Sequence, residues 1–276
     1  MNHVKAAGFV LLTLCLGPGH VVAEQGKKPV TYVLAGSGTN LAITSELARA
    51  FMEKNPGVKL HVPESMGSTG GLKALHKGRI HAALVSRPLR KIEKTWNLKV
   101  TAYARTIVVF GANPSVPDSG VTADQVLSIL DGRTAKWSDG SPITVLIREE
   151  GDSGAEVLTG HFKGMREVLE KAYRSGIWRI EYTDRNCNHS IARIKGSFGW
   201  TDLGSVRLEG SRVKTLNLDG VEPTAENLAS GRYPLSKELS FAYAEPLPED
   251  LRRFIAFALS PEGRGIVARS GYVPLR

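Results

Sequence analysis

The first third of the chain alternates short apolar stretches with amphipathic ones. Residues 30–34 alternate like a strand, and over 43–51 an apolar residue recurs every fourth position, which places one face of a helix against a core. Residues 58–62 alternate again, a short helical stretch follows, and 80–85 form the continuous apolar run of a buried strand. This order of elements predicts an α/β sheet with right-handed crossovers.

A second unit with the same rhythm begins after a long β-rich run at 100–110. The predicted boundaries are 24–110 plus 240–276 for lobe 1 and 111–239 for lobe 2, because a strand at 239–244 returns to the first unit. The elements predicted for lobe 2 are a helix opened by a capping box at 122–125, a strand at 143–147, helices at 155–162, 166–174 and 190–195, and strands at 179–183 and 198–201.

A glycine-rich turn, GSGTN at 36–40, joins the first strand to the first helix. Glycine permits backbone angles that a Cβ would forbid, and Thr39 or Asn40 is expected to cap the helix. The free N–H groups and the dipole of such a helix end attract anions. An ordinary strand–turn–helix joint would give the same pattern, so this turn alone decides nothing.

Similar turns recur at 67–71 (GSTGG) and 151–154 (GDSG), and Ser86-Arg87 and Arg148 follow predicted strands. Ligands of open α/β sheets bind outside the carboxyl ends of the strands, where all these residues fall. Two helix ends and three or four hydrogen bonds to a charged ligand together contribute several kcal/mol more than the ~8 kcal/mol that micromolar binding requires. A single turn cannot supply this binding free energy. We therefore expect two lobes that close around one oxyanion.

The N-terminal residues predict export. Residues 1–23 hold one cation, an apolar run at 6–16 and a small-residue site before Glu24, which is typical of a signal peptide cleaved after Ala23. Leu14 stands before Cys15 where a lipidation motif has a small residue, so no lipid anchor is expected. The predicted location is the periplasm, although a freely secreted protein would have the same signal.

Charge and cysteine content narrow the function classes. The 276 residues carry a formal net charge of +9 without a long basic run, which argues against nucleic acid and suits a small anion. After removal of the signal, Cys187 is the only cysteine, so no internal disulfide is possible. The histidines show no metal-ligand spacing, and we predict neither a metal nor a cofactor.

Taken together, these motifs resemble the phosphate-binding receptors of ABC uptake systems, in the type II periplasmic binding protein superfamily. The resemblance implies two α/β lobes, each a mainly parallel sheet flanked by helices, with the ligand cleft between them. It implies capture of a tetrahedral oxyanion, above all phosphate, for a membrane permease, and no catalysis; a monomer is expected. Its landmarks are GSGTN at 36–40, GSTGG at 67–71, SRPL at 86–89, REEGDSGA at 148–155, GSFGW at 196–200, LSPEG at 259–263 and GYVPL at 271–275.

Carried over residue by residue, the resemblance implies a hydroxyl and N–H groups from Thr39, Asn40 and Leu41 in the first turn and a serine, Ser68, from the second. It implies an arginine, Arg148, and a serine, Ser153, from the loop at 148–155. The predicted ligand-binding residues are Ser37, Gly38, Thr39, Asn40, Leu41, Ser68, Thr69, Ser86, Arg87, Arg148, Asp152, Ser153 and Gly154.

Two departures from the family pattern leave alternatives open. Arg87 stands where the best-known receptors have an aspartate that accepts a proton from the ligand. The 151–154 loop is one residue longer, so either Asp152 or Ser153 could take the place of the family's serine. Arg87 could supply a cation while Asp152 accepts the proton, or Arg87 could form a structural ion pair with Glu93. If Asp152 points away, the purely cationic site would suit sulfate, molybdate or tungstate better than a protonated anion.

Two other functions compete with transport. GDSG at 151–154 also resembles the nucleophile loop of trypsin-like proteases, which makes an exported hydrolase using Ser153 an alternative. A serine nucleophile needs a histidine base oriented by a carboxylate, and no histidine stands in that setting. A signalling protein that keeps the fold without high-affinity uptake is the other alternative, and a phosphonate is a further candidate ligand.

Overall fold

The computed structural model describes Met1 and residues 30–275. The predicted signal peptide with its cleavage site, and Cys15, lie outside the described residues. The strands are β1 Val30–Gly36, β2 Val58–His61, β3 Ala82–Val85, β4 Lys99–Ala112, β5 Gly120–Val121, β6 Thr144–Arg148, β7 Arg179–Glu181, β8 Ser197–Asp202, β9 Lys214–Leu218, β10 Ser236–Tyr243 and β11 Val273–Pro274. The helices are α1 Gly38–Lys54, α2 Gly67–His76, α3 Ala123–Leu130, α4 Ser153–His161, α5 Met165–Ser175, α6 Asp184–Arg193, α7 Leu203–Leu208, α8 Ala225–Ala229, α9 Glu249–Leu259 and α10 Pro261–Arg269.

The main sheet runs in the order β2-β1-β3-β10-β4-β8-β6-β7. At one end β2, β1 and β3 are parallel, and at the other β8, β6 and β7 are parallel. Between them β10 and β4 run antiparallel to their neighbours. The long strand β4 pairs with β10 up to Ile107 and with β8 from Val108 onward, so it crosses from one end of the sheet to the other.

Two large apolar cores lie on either side of this crossing. The first contains buried side chains of α1, α9 and α10, and it includes Ala104 and Leu239. The second is formed around β6, β8, α3 and α5, and it includes Ile107 and Leu235. We call the parts around these cores the first and the second unit. The α/β class is confirmed, while the exact lobe boundaries stay a prediction.

Helix starts were predicted with mixed success. The capping box of α3 is confirmed, because the Thr122 hydroxyl accepts from the Gln125 N–H and the Gln125 side chain accepts from the Thr122 N–H. The expected cap of α1 is wrong: Ser37 is the N-cap residue, and Thr39 and Asn40 already lie inside the helix. Helix α6 begins at Asp184 rather than near residue 190, because the Thr183 side chain caps it. The first turns of this helix are polar and have no apolar periodicity, so the sequence pattern did not reveal them.

Within the described part of the chain, every helix is too short or too polar to cross a bilayer.

Candidate functional site

Four serine hydroxyls meet between the two units. The Ser86 Oγ lies 2.6 Å from the Ser37 Oγ and 2.8 Å from the Ser153 Oγ. The Ser68 Oγ lies 3.5 Å from the Ser86 Oγ and accepts the Ser86 N–H at 3.2 Å. All four serines are buried. Three come from the first unit and Ser153 comes from the second, so a single small group at this point could contact both units.

The position of each serine follows from the local fold. Ser37 is the N-cap residue of α1, Ser68 lies in the first turn of α2, and Ser153 is the first residue of α4. Ser86 directly follows β3. Three helix N-termini therefore lie at the hydroxyl cluster, and the dipoles of these helices give the cluster a positive potential.

A cavity of about 290 Å³ lies beside these hydroxyls and is bounded by both units. One water takes up roughly 30 Å³ in the liquid, so this volume accommodates a small polyatomic ion. The residues that line it are Ser37, Gly38, Ser65, Met66, Gly67, Ser68, Thr69, Arg90, Arg148, Glu149, Glu150, Gly151, Asp152 and Ser153.

Arg148 brings the main positive charge to this cavity from the end of β6. Its Nε donates to the Glu181 carbonyl at 3.0 Å and its Nη1 to the Asp184 Oδ1 at 2.9 Å. Its Nη2 lies 3.6 Å from the Asp152 Oδ2. Burial alone would lower the pKa of this guanidinium, but the two carboxylates reverse that effect and raise it. Arg148 is therefore a fixed cation with two acidic neighbours.

Asp184, which was not among the predicted site residues, joins the two units. It opens α6 in the second unit, and its Oδ1 also lies 3.4 Å from the Thr39 Oγ1 of the first. A Cβ on Gly38 would come within 2.2 Å of the Asp184 Oδ2, so only glycine permits this approach. Burial would raise the pKa of Asp184, but Arg148 and Lys237 keep it below the ordinary value. The group is thus a buried carboxylate at the cleft.

Asp152 faces two ways. Its Oδ1 caps α4 by accepting the Ala155 N–H at 3.1 Å and also accepts the Trp200 Nε1–H at 3.1 Å. Its Oδ2 is the oxygen nearest Arg148. Asp152 lines the cavity, so it does not point away as one of the sequence-based alternatives required. Its helix-capping role fixes the carboxylate in place.

Arg87 adopts the ion pair that the sequence left open. Its Nη1 and Nη2 each donate to one Glu93 oxygen at 2.7 Å, and both side chains are buried. Nη2 also donates to the Thr69 Oγ1 at 2.8 Å, and Nη1 to the Pro88 carbonyl at 2.9 Å. The expectation that Arg87 supplies a free cation is therefore not supported, because Glu93 already neutralises it.

Thr39 connects the cleft to a buried lysine on β10. Lys237 is 4% exposed, and its Nζ donates to the Thr39 Oγ1 at 2.7 Å. Behind it, the Thr106 hydroxyl donates to the Asp202 Oδ1 at 3.1 Å. Burial raises the pKa of Asp202 to about 6, although the charge of Lys237 opposes that rise.

The other predicted residues serve the framework. The Asn40 Oδ1 accepts from the Tyr103 hydroxyl, its N–H donates to the Ser37 carbonyl, and Leu41 packs on the first core. A Cβ on Gly154 would lie 2.9 Å from the Trp200 ring, so this glycine permits that packing. The side chains of Asn40 and Leu41 thus face the first unit rather than the serine cluster. The family resemblance assigns N–H groups of this turn to the ligand, and that assignment stays a prediction.

The residues missed by sequence reasoning, Asp184 and Lys237, had weak signals. Thr183-Asp184 is a helix-start pattern, with a capping hydroxyl followed by an acid in the first turn. That pattern could have predicted the start of α6 correctly. It would then have indicated that Asp184 lies shortly after the end of β7. Lys237 is part of no recognisable motif, and its hydrogen-bond partner Thr39 is 198 residues away in the sequence.

Comparison with known proteins identifies the family. The family model described as a PBP superfamily domain matches residues 23–262. The chain belongs to the PBP superfamily. Its match covers most of the chain, including every element that lines the cavity, and it agrees with the two-unit α/β architecture described above.

Relatives of this PBP superfamily chain include named phosphate-binding proteins. It is 24% identical over 262 residues to "Phosphate-binding protein PstS" of Bacillus subtilis (strain 168), across 91% of this chain and 83% of that protein. It is 22% identical to "Phosphate-binding protein PstS" of Borreliella burgdorferi, across 88% of this chain and 89% of that protein. A solved structure, a putative phosphate ABC transporter substrate-binding protein from Clostridium perfringens with bound phosphate, aligns with a TM-score of 0.80 at 25% identity, covering 90% of this chain and 100% of that one.

Proposed function

We propose that this protein is a solute-binding receptor that captures phosphate between its two units and delivers it to the permease of an ABC transporter. The observation that carries the proposal is the meeting of Ser37, Ser68, Ser86 and Ser153 hydroxyls from both units beside the Arg148 guanidinium. Hydroxyl donors, helix N-termini and one arginine match the acceptor oxygens of a tetrahedral anion. The names of the relatives support the same ligand.

The charge balance favours an oxyanion that carries a proton. The positive charge of Arg148 is offset by Asp152 and Asp184, which only accept hydrogen bonds when ionised. A fully deprotonated anion such as sulfate would meet the Asp152 carboxylate, which lines the cavity, without a proton to share. Hydrogen phosphate brings an O–H group that a carboxylate oxygen can accept. The two acidic residues therefore support phosphate over sulfate, molybdate and tungstate.

The arrangement around Ser153 supports binding rather than hydrolysis. The Ser153 Oγ lies 2.8 Å from another serine hydroxyl, that of Ser86, which is no general base. Among residues 30–275, no histidine nitrogen is hydrogen-bonded to Ser153. The family to which the chain belongs, and the relatives named above, are binding proteins. We infer that the hydroxyl is a ligand donor.

Export and the transport partner complete the proposal. The signal-like residues 1–23 support release of the chain into the periplasm without a lipid anchor. There a monomeric receptor would meet an ABC permease in the membrane. A receptor of this kind closes on its ligand, which is consistent with cleft residues that come from both units.

A panel of anions tests the proposal. Ligand-stripped protein is titrated calorimetrically with phosphate, sulfate, molybdate, tungstate and methylphosphonate, and melting temperatures are recorded with each. We expect tight 1:1 binding of phosphate and the largest rise in melting temperature with phosphate, because a ligand bound only to the native state stabilises it. A stronger response to an unprotonated anion would overturn phosphate as the ligand, and no response to any anion would overturn the receptor.

A further inference from the structure

Lys237 is a buried lysine that the proposed phosphate contacts do not explain. It is 4% exposed on β10, and among the described residues its Nζ has one hydrogen-bond partner, the Thr39 hydroxyl at 2.7 Å. A buried charge is normally paired with an opposite charge, because transfer from water is costly. The sixteen ion pairs found within residues 30–275 do not include this lysine.

The contact with Lys237 fixes the direction of the Thr39 hydroxyl. An ammonium group has three donors and no acceptor, so the Thr39 Oγ1 must be the acceptor in this bond. The hydroxyl proton is then available for a different partner. In this structure that partner is the Asp184 Oδ1 at 3.4 Å, which is longer than the roughly 2.5–3.0 Å of an ordinary O–H···O hydrogen bond. A donor held this loosely is free to turn to a better acceptor.

We propose that Lys237 is a positioning residue: by occupying the acceptor side of the Thr39 hydroxyl, it makes Thr39 a hydrogen-bond donor to the bound oxyanion. The inference rests on the proposed function and adds a residue to it. Thr39 lies in the first turn of α1, two residues after Ser37, so both hydroxyl-bearing residues stand at the N-terminal end of that helix. Lys237 itself lines a larger cavity of about 840 Å³ together with Ser86 and Ser153.

Long-range charge is the competing explanation for any effect of Lys237. Its positive charge acts on Asp184 and on Asp202, and removal of that charge would make the cleft more negative. This electrostatic effect needs no Thr39 hydroxyl. The two explanations therefore differ in whether the effect of Lys237 depends on Thr39.

A double-mutant cycle separates them. Phosphate affinity is measured calorimetrically for the unmodified protein, Lys237→Met, Thr39→Val and the double variant. We expect Lys237→Met to weaken binding roughly 10- to 100-fold in the unmodified background, as for loss of a hydrogen bond to a charged ligand. In the Thr39→Val background the same change should weaken binding less than about threefold, because the hydroxyl it positions is gone.

Controls keep the result specific. Lys94→Met removes an exposed lysine at the rim of the same 840 Å³ cavity and should leave affinity within about twofold. Thr39→Ser retains the hydroxyl and should bind nearly as well as the unmodified protein. If Lys237→Met does not fold, as judged by circular dichroism, Lys237→Ala replaces it in the cycle. Its methyl group offers no donor to the Thr39 oxygen, and the same weakening is expected.

The outcomes are distinct. An equal loss of affinity in both backgrounds would overturn the inference in favour of long-range charge, and an unchanged affinity in Lys237→Met would overturn it outright. Either result leaves the receptor intact as long as the unmodified protein binds phosphate in the same titration. Failure of that unmodified protein to bind would instead reject the proposed function.

Discussion

The two units contribute different chemistry to the cleft. The first unit supplies the hydroxyls of Ser37, Ser68 and Ser86, and its nearby arginine, Arg87, is neutralised by Glu93. The second unit supplies most of the charged side chains, with Arg148 between Asp152 and Asp184, while Arg90 of the first unit is paired with Glu156. The same residue type, an arginine after a strand, thus stabilises the fold in one unit and faces the cavity in the other. This division suggests that the first unit recognises shape and the second recognises charge and protonation.

The largest change in phosphate affinity is expected from Arg148→Ala in the second unit. Removing the guanidinium leaves Asp152 and Asp184 without their cation, so phosphate binding should weaken roughly 100-fold or more. The free energy of unfolding should also fall by about 3–5 kcal/mol, as for a broken buried ion pair. Calorimetry and denaturant unfolding measure both. Arg212→Ala, an exposed arginine of the same unit, is the matched control, and equal affinities of the two variants would contradict the assignment of charge recognition to Arg148.

Asp184→Asn should change selectivity. An asparagine amide can donate a hydrogen bond to an unprotonated oxygen. The ratio of the phosphate affinity to the sulfate affinity is therefore expected to fall by about tenfold. Competition calorimetry with both anions measures the ratio. Glu150→Gln removes an exposed carboxylate that lines the 290 Å³ cavity, which Asp184 adjoins through its contact with Arg148, and should leave the ratio unchanged. An unaltered ratio in Asp184→Asn would mean that protonation is not sensed in the second unit.

A comparable effect, on affinity rather than on selectivity, is expected from Ser86→Ala in the first unit. This hydroxyl contacts three other serines, and its removal should weaken phosphate binding by about tenfold, near the lower end for a hydrogen bond to a charged group. The matched control is Ser197→Ala. Ser197 is the first residue of β8, and its buried hydroxyl donates to the Ile191 carbonyl. That variant should lose stability without losing affinity. If Ser86→Ala instead loses stability and keeps its phosphate affinity, the serine cluster only supports packing.

The smallest effect on affinity is expected from Glu93→Gln, which breaks the ion pair with Arg87. Burial would raise the pKa of Glu93, but Arg87 holds it below the ordinary value. A carboxylate with a lowered pKa stabilises the native state above its unfolded pKa of about 4.3 and loses that contribution as the pH falls through the lower native pKa. The melting-temperature difference between the unmodified protein and Glu93→Gln should therefore be largest near neutrality and vanish in acid. Phosphate affinity at pH 7 should change less than about threefold, and a larger loss would place Arg87 back among the ligand contacts.

Local sequence determined much of this architecture. Periodicity identified β1, α1, β3 and β6, and the Thr122–Gln125 capping box marked the start of α3. The serines of the glycine-rich turns could be expected to share one edge of the sheet, because the carboxyl ends of parallel strands lie together. These features depend on neighbours in sequence, which is why they could be predicted.

Only the tertiary structure decided which charges face the cavity. Arg87 and Arg148 look alike in sequence, and the difference between them arises because Glu93 folds back onto one, while Asp184, 36 residues along the chain, reaches the other. Lys237 meets Thr39 across 198 residues for the same reason. Hydroxyl-bearing turns are fixed by short-range backbone geometry, whereas the partners of Arg148 and Lys237 lie on distant segments of the chain that the packed cores bring beside them.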